Sequence, residues 1–139
     1  MTAVDTNVLV RLLTADDPAE ETAARTVFES EPIWIAKTVL LETNWVLRSI
    51  YGFDDASVRM ALGKLLGLKN VHAEDRSSIV IALDLTERGI EFADALHLLS
   101  RPAGAAFVSF DRSFVKRAEQ AGIAGVRLLS GRRSVRRER

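Results

Sequence analysis

The chain has 139 residues, of which 47% are hydrophobic and 27% charged, the composition of one ordinary globular domain. It contains no cysteine, which excludes thiol catalysis, zinc fingers and iron–sulfur clusters. Its longest apolar run, Ile79 to Leu83, has five residues, whereas a membrane span needs roughly 20. The first residues lack the basic and apolar regions of a signal peptide. We therefore expect a cytoplasmic protein with no membrane contact.

The formal charge is zero, with 19 basic and 19 acidic residues, but the two signs are unevenly distributed. Residues 132–139 contain five arginines and one glutamate, so this segment carries +4 and residues 1–131 carry −4. Arginine-rich termini are most often solvated and disordered. We predict one domain over residues 1–131, followed by a disordered basic tail over residues 132–139.

Short apolar segments alternate with longer segments of helical periodicity along the chain. The predicted elements are a strand at 3–4, helices at 8–13 and 18–31, a strand at 33–35, helices at 38–51 and 55–68, a strand at 71–73, helices at 76–88 and 91–100, a strand at 106–110, a helix at 114–121 and a strand at 126–129. Thr38 and either Asp54 or Asp55 are the expected N-caps of the third and fourth helices. Gly52 and Gly89 are expected to end helices.

Strands that alternate with helices favour a parallel sheet, because parallel neighbours need crossover connections that helices supply. We predict a single α/β domain with a mostly parallel sheet of about five short strands, flanked by helices on both faces. In such a sheet the carboxyl ends of the strands and the amino ends of the following helices lie along one edge, where ligands bind. Functional side chains are therefore expected at that edge.

Four acidic residues are predicted to lie at this edge. Asp5 and Asp111 end the first and fourth strands, while Glu42 lies about one turn into the third helix. Asp94 lies at the start of a late helix. At about 6 Å and an effective dielectric constant near 20, each pair of like charges costs about 3 kcal/mol. Four converging carboxylates therefore require protonation or a bound cation, and hard oxygen donors favour Mg²⁺ or Mn²⁺.

Three of these acids also have a purely structural interpretation. Asp5 and Asp111 are good N-caps for the helices that follow them. Asp94 shares a helical stripe with His97 and Arg101, which is more often a solvated face than a site, although His97 is a candidate to support Asp94. Because all four acids are predicted at one edge of the sheet, a functional site explains them better than helix capping alone.

Glu42 is the acid that a structural interpretation explains least well. It falls between Trp45 and Val46 on a helical wheel, in a segment predicted to be buried. A buried carboxylate needs a partner, and no lysine or arginine lies three or four positions away. Trp34 and Trp45 are both expected in the core, because they lie in apolar segments.

Four short motifs carry a family resemblance, in the order V-D-T-N-V at 4–8, L-L-E-T-N-W-V-L at 40–47, F-A-D-A-L-H-L at 92–98 and V-S-F-D-R-S-F at 108–114. Together they resemble the motifs of the PIN domain over residues 1 to about 130, and more narrowly those of VapC-type ribonuclease toxins of type II toxin–antitoxin pairs. The resemblance implies a catalytic, metal-binding site formed by Asp5, Glu42, Asp94 and Asp111. The polar neighbours that it implies as supports are Thr6, Asn7 and Ser109.

The resemblance further implies hydrolysis of RNA phosphodiesters by water activated at one or two Mg²⁺ or Mn²⁺ ions, with 5′-phosphate and 3′-hydroxyl products. Many relatives have an acidic residue two positions after the one that matches Asp111, where this chain has Ser113, so the number of ions stays open. The cations expected to contact RNA are Arg11, Arg101 and Arg112, with Arg48, Lys116 and Arg117 as further candidates. The basic tail is a further candidate RNA contact.

VapC-like toxins usually form homodimers and are inhibited by a VapB-like antitoxin, which often presents an arginine to the acidic groove. The resemblance implies both partners here.

Three alternatives stay open. A phosphohydrolase with Asp5 as nucleophile usually needs a second aspartate where this chain has Asn7. A receiver-like signalling module needs an adjacent acidic pair and a lysine after the last strand, both missing here. The third alternative is an inert PIN domain that binds RNA or a protein.

Overall fold

Strands and helices alternate over residues 1–130, the part of the chain that the computed structural model describes. The strands are β1 (Thr2–Ala3), β2 (Ile33–Ile35), β3 (Val71–Ala73), β4 (Phe107–Ser109) and β5 (Val126–Leu128). The helices are α1 (Thr6–Thr14), α2 (Pro18–Ser30), α3 (Lys37–Ser49), α4 (Asp55–Leu66), α5 (Arg76–Thr86), α6 (Phe92–Leu99) and α7 (Arg112–Gln120). None of these helices has the length and apolar character that a bilayer span requires. The predicted basic tail at 132–139 lies outside the described residues.

The strands are all parallel, and they form two sheets. β2 lies between β1 and β3, with Ile33 paired to both Thr2 and Val71. β4 pairs with β5, and Phe107 lies opposite Val126. The α/β class and the parallel pairing are confirmed. The predicted single sheet is divided, because within residues 1–130 no hydrogen-bonded ladder joins the two-residue strand β1 to β4.

Aspartate side chains begin several helices by accepting a hydrogen bond from a backbone N–H near the helix start. These caps are Asp5, Asp17, Asp54 and Asp111. The cap predicted at Thr38 is wrong, because α3 already begins at Lys37 and its preceding residue, Ala36, has no side-chain oxygen. Gly52 and Gly89 follow helices with φ angles of 72° and 84°, in the left-handed region that favours glycine.

The core is packed around β2 and α3. Ile33 and Ile35 of β2 are fully buried, as are Leu40 and Leu47 of α3. The core position predicted for Trp45 is wrong, because its side chain is 59% exposed. α3 has apolar residues on two sides, and the side that carries Leu40 and Leu47 packs inward. Trp34, between the two buried isoleucines of β2, is half-buried.

Candidate active site

Asp5 and Asp111 each connect the end of a strand to the start of a helix. The Asp5 Oδ1 accepts a hydrogen bond from the Val8 N–H at 3.2 Å, and the Asp111 Oδ1 accepts one from the Phe114 N–H at 3.1 Å. The capping interpretation of both residues is therefore confirmed. Each cap uses one carboxylate oxygen, and the other has no hydrogen bond to a side chain or backbone N–H within residues 1–130. Capping leaves that second oxygen available to a ligand.

Glu42 lies on the solvent side of α3 rather than in the core. The predicted burial of Glu42 is wrong, since its side chain is exposed. Its Oε1 accepts a hydrogen bond from the Thr6 hydroxyl at 2.7 Å, and Thr6 itself is buried. This bond connects the start of α1, next to Asp5, to the middle of α3. Two of the predicted site segments, 36 positions apart in the chain, therefore meet in the fold.

Asp94 is half-buried near the start of α6. Burial raises the pKa of its carboxyl above the ordinary value, and the negative charges of Glu91 and Asp111 raise it further, while His97 lowers it. Because the charge of Asp111 acts on Asp94, the carboxylate that follows β4 and the carboxylate near the start of α6 lie near each other. His97 acts in the direction opposite to that of the two acids and favours the carboxylate form of Asp94.

Glu91 is an acidic neighbour that the sequence interpretation did not include in the site. It precedes α6 at the N-cap position without a side-chain capping bond, and it lines a surface groove together with Glu42, Trp45 and Ala93. Its signal in the sequence is its spacing, three residues before Asp94 and so on the same side of the helix start. Asp5 and Asn7 line a different groove, on the α2 side of α1. Thr6, which stands between Asp5 and Asn7 in the chain, donates a hydrogen bond to Glu42 of the first groove.

The four predicted acids lack basic partners. Within residues 1–130, no lysine or arginine forms an ion pair with Asp5, Glu42, Asp94 or Asp111. In the same range, no three or more histidine, aspartate or glutamate side chains are gathered closely enough to hold a metal ion. The carboxylates therefore carry unbalanced charge, but the predicted convergence of all four at one metal site is not found in the described part of the chain. An all-oxygen donor set with unbalanced negative charge fits a hard divalent cation.

The comparison with known families is the observation that assigns the chain to a family. The model of the PIN domain family matches residues 2–120. The chain belongs to the PIN domain family. No curated protein matches the chain. PIN domains are generally nucleases that use divalent metal ions, and membership of the family suggests RNA binding.

The three arginines predicted to contact RNA have different surroundings in this PIN domain. Arg11 donates to Glu20 at 2.6 Å and to Asp16 at 3.1 Å, and these acids hold its pKa well above the usual range. Arg101 donates to the carbonyl oxygen of Ala124 at 2.8 Å, in the turn before β5. Arg112 is exposed and has no ion pair or side-chain hydrogen bond within residues 1–130. Of the three, Arg112 has the side chain that is most available to a phosphate.

Proposed function

We propose that this PIN domain is a metal-dependent endoribonuclease, the toxin of a VapBC-type toxin–antitoxin pair. The observation that carries the proposal is the proximity of Asp94 to Asp111 with no basic partner for either carboxylate within residues 1–130. Membership of a family of nucleases supports it. The order of the four sequence motifs supports the narrower toxin assignment.

The residues that would hold one or two Mg²⁺ or Mn²⁺ ions are Asp5, Glu42, Asp94 and Asp111. A bound divalent ion would neutralise the negative charge that develops on the phosphate during cleavage, and it would activate a water molecule. Ser113 stands where many VapC-like toxins have another acid, and this favours weaker binding of a second ion. The predicted products carry 5′-phosphate and 3′-hydroxyl ends.

The polar neighbours of the acids restrict carboxylate and backbone motion. The Thr6 hydroxyl donates to Glu42 and limits the rotation of its carboxylate. The Ser109 Oγ accepts a hydrogen bond from the Asp111 N–H at 3.0 Å, which holds the backbone just before the α7 N-terminus. Asn7 lies in the groove beside Asp5, where its amide is available to a phosphate or a water molecule. Glu42 and Asp111 are thus held in place by hydrogen bonds with neighbouring polar side chains.

The proposal is tested by incubating total cellular RNA with the purified protein, with and without Mg²⁺ or Mn²⁺. We expect metal-dependent cleavage that falls about 100-fold or more in Asp5→Asn and in Asp94→Asn. Asp84→Asn is the matched control, because Asp84 is an exposed acid on α5, and it should retain full activity. The proposal would be contradicted by cleavage that persists in chelator or by site variants as active as the wild type. Products with 2′,3′-cyclic phosphate would contradict it as well.

We also propose a homodimer and an inhibitory VapB-like antitoxin. Trp45 and Ile50 are 59% and 64% exposed, and these large apolar side chains on and after α3 support a contact between two copies. The unbalanced acids support an antitoxin that places an arginine in the site, since an arginine fork matches carboxylate geometry.

A further inference from the structure

Phe110 is a large aromatic side chain that the fold leaves in solvent. Its side chain is 71% exposed, whereas Phe107 and Phe114 nearby pack edge to face, with ring centroids 5.8 Å apart. Side chains alternate between the two faces of a strand, so Phe107 and Ser109 lie on one face of β4 and Val108 on the other, while Phe110 lies at the bend that follows the strand. The Phe110 ring therefore lies in solvent, outside the contact between Phe107 and Phe114.

The face of the β4–β5 sheet that carries Val108 is uncovered. Val108 is 42% exposed and pairs with Arg127, which is also exposed. Leu129 is 38% exposed, and its N–H donates to the carbonyl of Ser109, the residue before Phe110, at 2.8 Å. An apolar strip with an aromatic ring at its end is thus presented to solvent next to a cation.

Two further cations lie on the helix that follows Phe110. Arg112 and Lys116 of α7 are exposed and four residues apart, so they share one face of the helix. Together with Arg127, they have no ion pair within residues 1–130. Unpaired cations that follow an exposed aromatic ring closely in the chain favour a polyanionic ligand that also has flat apolar faces. Single-stranded RNA has both properties, because its phosphates attract lysine and arginine and its bases stack on aromatic rings.

The ring is also placed next to the candidate active site. Phe110 is covalently adjacent to Asp111, whose N–H is bonded to Ser109 and whose Oδ1 caps α7 through the Phe114 N–H. These two bonds hold the backbone on both sides of Asp111 and so restrict the position of the ring. A base stacked on Phe110 would belong to a nucleotide close to the acids.

We propose that Phe110 is a stacking platform for an unpaired base of the RNA substrate, and that Arg112 and Lys116 bind phosphates of the same RNA strand. This inference rests on the proposed ribonuclease function and adds to it the residue that positions single-stranded RNA. Phe110 acts as a positioning residue, because it holds the RNA strand and takes no part in bond cleavage.

Stacking is measured with a single-stranded oligoribonucleotide of mixed sequence that carries one 2-aminopurine, in chelator so that the proposed nuclease does not cleave it. We expect fluorescence quenching by the wild-type protein and a loss of affinity of about tenfold in Phe110→Ala. Phe110→Trp should retain binding, and Phe110→Leu should lose it despite its apolar side chain. Restoration by leucine would overturn stacking in favour of a merely hydrophobic contact.

The phosphate contacts are measured through the salt dependence of the same affinity. Arg112→Gln and Lys116→Gln should each reduce the slope of log affinity against log salt by about 0.7. Lys69→Gln is the charge control and Ile81→Ala the apolar control, because both residues are exposed and lie on other elements. Equal slopes in the wild type and the two α7 variants would contradict this part of the inference.

Cleavage kinetics separate this inference from the proposed nuclease function. For the Mn²⁺-loaded protein, we expect Phe110→Ala to raise KM about tenfold and to change kcat little. Metal-dependent cleavage with an unchanged KM would overturn the inference and leave the nuclease function standing. Phe110-dependent quenching without any metal-dependent cleavage would support the inference and reject the nuclease. A change of self-association in Phe110→Ala, with RNA binding unaltered, would assign the strip to a protein contact and overturn the inference.

Discussion

At the scale of single residues, Asp94 shows how the fold acts on a candidate catalytic group. Its half-buried carboxyl has a raised pKa, mainly because of burial and then because of the charges of Glu91 and Asp111. A raised pKa means that the folded protein favours the protonated carboxyl over the carboxylate. Ionisation of Asp94 therefore lowers the free energy of unfolding, and this effect is complete above the pKa of Asp94 in the folded protein. The effect disappears below the pKa of an aspartate in the unfolded chain, about 3.9.

Asp94→Asn should accordingly stabilise the protein in chelator at pH 7. We expect a higher melting temperature for the variant than for the wild type, with the difference shrinking as the pH falls towards about 4. Adding Mn²⁺ should raise the melting temperature of the wild type but not of Asp94→Asn, since bound ligand stabilises the fold. Thermal melts from pH 4 to 8 measure both effects, with Asp84→Asn as the control that should follow the wild type.

Local sequence patterns predict some contacts of the candidate site and miss others. The capping roles of Asp5 and Asp111 follow from residue type and position alone, because an N-cap bond joins residues three positions apart. The partner of Glu42 does not follow in this way, since Thr6 is 36 positions away. Glu91 was missed although it lies only three positions before Asp94, because its effect on the pKa of Asp94 depends on how α6 begins.

At the scale of elements, the contact between α1 and α3 joins two halves of the candidate site. The Thr6–Glu42 hydrogen bond is the polar part of this contact, and the fully buried side chains of Leu9 and Leu40 belong to the apolar core around it. A hydrogen bond between a hydroxyl and a carboxylate contributes roughly 1.5–3 kcal/mol when well formed, and less at an exposed acceptor. Its main consequence is therefore the orientation of Glu42.

Thr6→Val tests this orientation with nearly the same side-chain shape. We expect the free energy of unfolding to fall by about 1 kcal/mol and RNA cleavage to fall by about tenfold. Thr6→Ser should recover both properties, since it restores the hydroxyl. Thr22→Val is the matched control, because the Thr22 hydroxyl bonds to the Pro18 carbonyl within α2, on an exposed surface. Full cleavage activity in Thr6→Val would show that Glu42 needs no such support.

At the scale of the whole molecule, an exposed apolar surface remains after the core is formed. α3 packs its Leu40 and Leu47 side inward, which leaves Trp45 outside, and Ile50 follows at the end of the helix. Large exposed apolar groups of this kind mark contact surfaces in proteins that assemble. This arrangement supports the proposed homodimer.

Light scattering of the purified protein tests the dimer. We expect a mass twice that of one chain, and a shift to the monomer in Trp45→Glu, because a charge in an apolar contact loses its hydration. Ile81→Glu changes a similarly exposed residue on α5 and should remain dimeric. A wild-type protein that is monomeric at micromolar concentration would reject the dimer.

The order and type of the elements follow from local patterns in the chain, as do the positions of Asp5, Asp94 and Asp111 near strand ends and helix starts. For example, the strand predicted at 106–110 is found at Phe107–Ser109, and the helix predicted at 76–88 is found at Arg76–Thr86. Periodicity, caps and glycine stops act over a few neighbouring residues. These signals are complete in the chain itself.

Which surfaces are buried and which charges lie near each other became evident from the folded protein. It turned Trp45 and Glu42 outward, divided the strands into two sheets, and engaged Arg11 with acids of its own chain. It also brought Asp94 near Asp111, and left Phe110 exposed beside them. Burial and electrostatic proximity depend on contacts between elements that are far apart in the chain, and no local pattern contains that information.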